Sequence, residues 1–503
     1  MEEYIKKILT ARVYDVSRET PLEPVPNLSV RTGNRVSLKR EDAQSVFSFK
    51  CRGAFNRIYH LKKQQPDTRG VICASAGNHA QGVALSATKL GLKSVIVMPQ
   101  TTPRIKVDSV RALGGEAVLH GDNYDEAFRH ACELEQQLQY PFIHPFNDPD
   151  TIAGQGTVGV EICRQSAGQI DAVFLPIGGG GLAAGVSVIM KYLRPETKII
   201  GVEPDDAASM QASLAAGEPV ELSEVGIFAD GVAVKCPGAE TFRLCKDTLD
   251  EVITISVDEM CAAIKDVFED TRTLMEPAGA LSVAGLKKYA REHDYSGKHL
   301  IAITTGANVN FDRLRHITER AEIGEQREAL LAVKIPEQPG SFRHFCKLLG
   351  KRSVTEFNYR YGDATDAVVF VGVQLANGSA EREQIIETLT HGGYEVDDLT
   401  DNEVAKLHVR HMVGGRAALD NEWLYRFQFP DRPGALAKFL NSMGPDWNIS
   451  LFHYRNHGAA YGRVLVGLQV PNGDVDEFTR FVETLGYRYW QEDNNPAYHK
   501  FLA

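Results

Sequence analysis

The sequence predicts an α/β protein: a large domain of two parallel-sheet subdomains, followed by two small α+β modules. Three observations point there. Short apolar runs alternate with amphipathic stretches over the first 320 residues, a glycine-rich turn joins one of those runs to a helix, and the C-terminal third repeats itself. At 503 residues the chain is also too long for one core, and about 150 residues per domain suggests roughly three.

The apolar runs come in order. Residues 70–75 read as a strand, 80–90 as a helix, 94–99 as a strand, 104–113 as a helix and 116–120 as a strand. Residues 172–176, 182–193 and 198–203 then read as strand, helix and strand. Strands that are apolar on both faces and alternate with helices imply parallel sheets covered on both sides. The expected large domain is 1–317. A charged, helix-prone stretch with little apolar face, 318–328, suits a linker. After it, Leu331–Gly350 returns as Tyr425–Gly444, Val354–Arg360 as Ile449–Arg455, and Val369–Leu375 as Val464–Val470. Each copy reads as a βαββαβ module, at 329–402 and 422–503, with a connector at 403–421. Each places a Pro-Gly turn (Pro339-Gly340, Pro433-Gly434) before a helix. On physical grounds alone, such a pair serves equally well as a dimerisation element.

Composition excludes several functions. Acidic residues outnumber basic ones, 66 to 55, for a net charge of −11, which disfavours nucleic acid as a partner. The eight cysteines lack CxxC spacing and read as reduced thiols of a cytoplasmic protein. The uncharged stretch 172–190 holds Pro176 and four consecutive glycines, so it reads as strand, turn and helix start, with no membrane span. The N-terminus has neither a signal-peptide nor a transit-peptide pattern.

Two turns and one lysine carry the chemistry. Gly178-Gly179-Gly180-Gly181-Leu182, between strand and helix, offers backbone N–H groups to an anion. With Glu203 nineteen residues after Ala184, it also satisfies a dinucleotide pattern, so the loop alone leaves a nicotinamide dehydrogenase open. Lys50, between Phe49 and Cys51, lies in a partly apolar setting before a helix. Desolvation there frees a neutral amine to react with a carbonyl cofactor. Ser75-Ala76-Gly77-Asn78-His79 forms a second small-residue turn, suited to a carboxylate. Two anion pockets and a reactive amine point to pyridoxal 5'-phosphate and an amino acid.

The motifs Ser48-Phe49-Lys50-Cys-Arg-Gly-Ala, Ser75–His79, Gly178–Gly181, Glu276-Pro-Ala-Gly-Ala and Thr304-Thr305-Gly-Ala-Asn occur in this order. Together they resemble the fold type II pyridoxal-phosphate enzymes, specifically the threonine dehydratases, and the repeat resembles the paired ACT-like modules of the biosynthetic members. The resemblance implies a homotetrameric lyase that converts L-threonine, and L-serine to some extent, to a 2-oxo acid and ammonia in isoleucine biosynthesis. It implies that Lys50 links to the cofactor and removes the Cα proton, that Phe49 flanks the cofactor, and that Asn78 meets its ring hydroxyl. Gly178 to Leu182 would hold its phosphate. Ser75, Asn78 and His79 would hold the substrate carboxylate, and Thr305 would face the pyridine nitrogen. The family usually has Ser or Cys there; a hydroxyl cannot stabilise a ring charge, which favours elimination over transamination. Racemising relatives have a serine base where Ala76 stands, and a divalent-ion acid where Ser209 stands. No metal is therefore expected beyond a monovalent cation. Isoleucine is implied as inhibitor and valine as activator, with Tyr359, Leu436, Leu440 and Tyr454 as candidate effector contacts. A non-catalytic amino-acid sensor would leave Lys50 without a role.

Overall fold

The computed structural model describes residues 1–503 except 339, 351, 361–365, 408, 413–418, 420–421, 431–434, 444–446, 456–460 and 496–503. Pro339 and the Pro433-Gly434 turn lie outside the described residues. The chain forms two compact units, Met1–Ala321 and Glu322–Ala503.

The first unit contains a six-stranded and a three-stranded sheet. In the larger, Arg35–Arg40, His299–Thr304, Ala172–Pro176, Lys198–Pro204 and Glu251–Ile255 run parallel in that spatial order. Its edge strand Leu22–Pro24 is antiparallel, so the sheet is mixed where the sequence suggested parallel strands throughout. The smaller sheet, Gly70–Ala74, Lys93–Met98 and Glu116–Leu119, is wholly parallel. Its first strand and Ala172–Pro176 are buried at every position, as the apolar runs require.

A buried ionic quartet holds the helix that begins at Lys50. Arg52, with no exposed surface, donates to Glu41 at 2.7 and 2.8 Å and to Glu161 at 2.6 and 3.0 Å. Lys39 donates to Glu161 at 2.6 Å and to the Thr20 carbonyl at 2.6 Å. Two cations and two carboxylates cancel, which makes their burial tolerable. The N-terminal segment joins in through the Tyr14 hydroxyl, 2.9 Å from Glu161.

The stretch expected to be a charged, helix-prone linker falls largely in the helix Leu314–Gly324. It has an apolar face after all: Ile317 and Ala321 are buried in the first unit's core. In the second unit the two copies fuse into one eight-stranded antiparallel sheet. Val354–Arg360 of the first copy pairs with Asn448–Arg455 of the second. Phe357 lies opposite Tyr454, Asn358 opposite His453, and Tyr359 opposite Phe452. Positions 357 and 359 correspond to 452 and 454 in the repeat, so a pseudo-twofold axis passes between Asn358 and His453. Among the described residues, no helix is long and apolar enough to cross a membrane.

Arg52→Met removes one cation of the quartet and leaves the buried Glu41 without one, since Glu161 keeps Lys39. A loss of about 3–5 kcal/mol is expected, measured from the denaturant midpoint of the catalytic transition. A loss near zero would show that the quartet is solvated.

Candidate active site

The motifs, separated by up to 250 residues in sequence, converge on the opening of the helix Lys50–Gln64. Ser48 bridges to Gly306, and the Phe49 N–H lies 3.4 Å from the Thr305 carbonyl. The helix Asn78–Lys89 crosses so closely that a Cβ on Gly82 would sit 3.1 Å from the Lys50 backbone. Lys50 Nζ lies 3.4 Å from the Pro145 carbonyl and 5.2 Å from the Phe49 ring centroid. Burial, opposed by Glu276, pushes its pKa down to about 8, so a sizeable fraction is the nucleophilic amine near neutrality.

The glycine loop is shaped by what surrounds it. A Cβ on Gly179 would overlap the Phe146 ring at 2.3 Å, and Gly180 has φ +90° against Thr241 and Met210. No other residue fits either position. The helix Gly181–Leu193 starts there and leaves its first N–H groups without intrahelical acceptors. Leu182 is buried in the core, so only its backbone is available to an anion. Glu203, the ribose ligand of the dinucleotide alternative, accepts the Met210 and Gln211 N–H groups at 2.8 Å each. It caps the helix Ser209–Ala216, which removes the main support for a nicotinamide site. Among the described residues, no group of three His, Cys, Asp or Glu could hold a metal.

Asn78 is held from both sides. Its Nδ2 donates to Glu276 Oε1 at 2.6 Å, and its Oδ1 accepts from Asn308 Nδ2 at 2.6 Å. The amide orientation is thereby fixed, with one Nδ2 hydrogen left over. Burial, then Asp230, raises Glu276 to about 7. Sequence reasoning assigns Glu276 and Asn308 no individual role; their motifs are the only signal. His144 was also missed: its Nδ1 accepts the Phe146 and Asn147 N–H groups, shaping the turn beside Lys50 and Gly179.

In the second turn, Ser75 Oγ accepts the Gly77 N–H at 3.3 Å. The His79 ring is buried and neutral. Burial, then Lys50, pushes its pKa down to about 3, and Nε2 donates to the Ile143 carbonyl at 2.8 Å. The neutral ring has only a lone pair at Nδ1, which has no partner among the described residues. In that state the ring is no donor on its open side, whereas the backbone N–H groups opening the helix at Asn78 and His79 are. Thr305 is buried and its hydroxyl donates to the Ala278 carbonyl at 3.1 Å, a proton that rotation about Cβ–Oγ can turn to another acceptor.

These residues fit pyridoxal phosphate: a desolvated amine, a glycine cradle with room for no side chain, an oriented amide and a buried hydroxyl. The buried Ser48 Oγ and His79 Nδ1, both without partners among the described residues, suit a site completed by a bound group. In the second unit, Tyr359 and Leu440 are buried in the core, whereas Leu436 and Tyr454 are only partly so. The Tyr359 hydroxyl donates to Glu337 at 2.5 Å.

Residues 13–306 match the family described as pyridoxal-phosphate dependent enzyme. Residues 319–409 and 413–502 each match the C-terminal regulatory domain of threonine dehydratase. The biosynthetic L-threonine dehydratase of Burkholderia multivorans is 57% identical over 505 residues, covering 100% of this chain and 99% of that one. That of Escherichia coli is 55% identical over 502 residues, covering 100% and 97%. The solved structure of processed threonine deaminase isoform 2 from Solanum lycopersicum has a TM-score of 0.63 at 49% identity, covering 64% of this chain and 88% of that one.

Covalent capture of pyridoxal phosphate by the cofactor-free protein requires the neutral amine. Its rate should rise about tenfold per pH unit below about 8 and level off above it. Stopped-flow absorbance checks this, and a rise continuing past pH 10 would give Lys50 an ordinary lysine pKa.

Proposed function

This chain belongs to the pyridoxal-phosphate dependent threonine dehydratases, and from that premise we propose how its residues divide the work. The protein is a threonine ammonia-lyase that converts L-threonine to 2-oxobutanoate and ammonia for isoleucine biosynthesis, under allosteric control. The convergence of Lys50, the Gly178–Gly181 loop, Asn78 and Thr305 around one cleft carries the reading.

When bound, pyridoxal phosphate supplies the electron sink that makes the substrate Cα–H acidic. The glycine loop and the N-terminus of the helix Gly181–Leu193 would hold its phosphate, and the leftover Asn78 N–H would meet its ring hydroxyl. The turn at Ser75–His79 orients the substrate carboxylate through backbone N–H groups. Lys50 removes the Cα proton; its lowered pKa matches a base working near neutrality. Thr305 faces the ring nitrogen without a charge, so no carboxylate holds a proton there. Ala76 has no group to return a proton from the opposite face, which directs the reaction to elimination. L-Serine, one methyl smaller, fits the same machinery.

The second unit supplies the regulation. Isoleucine inhibits and valine activates at the helix starts and aromatic faces of the paired modules, with Tyr359, Leu436, Leu440 and Tyr454 as candidate contacts. The enzyme works as a cytoplasmic homotetramer.

Borohydride should fix the cofactor to the peptide bearing Lys50, and Lys50→Ala should remove both label and turnover. Leu436→Phe, at a partly buried position, should weaken isoleucine inhibition while uninhibited turnover stays within about twofold. Turnover that survives Lys50→Ala, or inhibition untouched by Leu436→Phe, would overturn the corresponding half of the reading.

A further inference from the structure

The two regulatory copies share a backbone but differ on the sheet face opposite the helix-covered core. In the first copy, Arg410, only 3% exposed, donates to Glu356 from Nε and Nη2, at 2.9 and 2.6 Å to the same oxygen. It also reaches Glu328 at 3.4 Å. The Arg410 carbonyl lies 3.4 Å from Asn358 Nδ2, at the pseudo-twofold axis. The Thr355 hydroxyl donates to Glu328. Gly372 leaves room for this cluster, since a Cβ there would meet Thr355 Oγ1 and Glu328 Oε1. In the second copy, Glu422 takes the place of Glu328, Ser450 of Thr355 and Gly467 of Gly372, and the Ser450 hydroxyl donates to Glu422. The Glu356 position, however, is Leu451, fully buried, and the Asn358 position is His453.

The three charged residues come from three functionally distinct segments. Glu328 begins the strand by which the chain enters the regulatory unit, four residues past the helix Leu314–Gly324. Glu356 lies on the strand that pairs the copies. Arg410 sits on the turn Val409–His411, in the segment that connects them. A buried guanidinium bridging two carboxylates is directional, because losing either contact exposes an unpaired charge to a dry interior. Movement at the seam is therefore felt at once by the entering strand and by the connector.

We propose that Arg410 is a positioning residue for allosteric coupling: it clamps the connector and the entering strand to the seam strand of the first copy, so that occupancy of the paired modules is passed on toward the catalytic unit from that copy. This rests on the reading that the second unit is a feedback module for branched-chain amino acids.

The second copy suggests the test. Glu356→Leu with Arg410→Leu gives the first copy the apolar residue of the second and leaves Glu328 with Thr355, as Glu422 has Ser450. The full-length double variant strands neither Arg410 nor Glu356; Glu328 alone loses its cation and keeps the Thr355 hydroxyl. All three tryptophans, Trp423, Trp447 and Trp490, lie in the regulatory unit, so their fluorescence follows isoleucine binding while turnover follows coupling. The expected result is a binding midpoint close to wild type, an inhibition midpoint raised by about tenfold, and unchanged kcat and KM for threonine without effector. Inhibition that still tracks binding as in wild type would overturn the proposal. If the wild-type protein responds to isoleucine in neither signal, the feedback reading has failed, and hydrogen exchange decides the clamp. Faster exchange of residues 354–360 and 403–412 in the double variant supports it, and unchanged exchange refutes it.

Discussion

The catalytic unit depends on one constraint: a lysine amine must be kept dry without an ion-pair partner at bonding distance. Lys50 and Arg52 sit two residues apart in the first turn of one helix and meet opposite treatments. Arg52 is matched by two carboxylates, each within 2.8 Å, and its charge is fully compensated. Among the described residues, Lys50 Nζ has a backbone carbonyl at 3.4 Å as its sole hydrogen-bond partner, and Glu276 acts on it weakly enough that desolvation still prevails. The quartet thus stabilises the helix start while leaving the amine uncompensated. Swapping those environments would give a permanently charged lysine and no nucleophile.

The same logic extends around the cleft. Glu276, Asn308 and the neutral His79 hold polar groups in fixed orientations without placing a full cation or anion beside the amine. Glu276 is the partial exception, and its rise to about 7 lets it titrate near the pH at which the enzyme would operate. An amide between a carboxylate and a second amide has one hydrogen-bonding sense only. Asn78 is therefore aimed before any ligand arrives, the preorganisation on which electrostatic catalysis relies.

How much of this was legible in the sequence follows from contact distance along the chain. The glycine loop and the strand–helix alternation are local, and they read correctly to within a few residues. The internal repeat was equally plain. Partners far apart were not legible: Arg52 with Glu161 is separated by 109 residues and Asn78 with Glu276 by 198. No periodicity encodes either pair. The fusion of two modules into one sheet was hidden for a related reason, since edge-to-edge pairing uses backbone groups that every strand possesses. The antiparallel edge strand Leu22–Pro24 is only three residues long, too short for a pattern. The tautomer of His79 was not legible either, because residue type does not reveal which nitrogen holds the proton; the Ile143 carbonyl decides it.

The fused sheet also bears on how two ligands differing by one methylene could act in opposite senses. One methylene in an apolar pocket is worth about 1–3 kcal/mol, whereas a full swing of a two-state equilibrium takes about 5.5. Size discrimination in one pocket therefore falls short, and each ligand must prefer a different conformation. A perfectly symmetric pair of modules offers two equal sites and no reason for a preference. The seam here is symmetric in backbone register but not in chemistry, with Glu356 and Asn358 of the first copy replaced by Leu451 and His453 in the second. Divergence confined to one face of a shared sheet gives the copies different responses while keeping the packing that joins them.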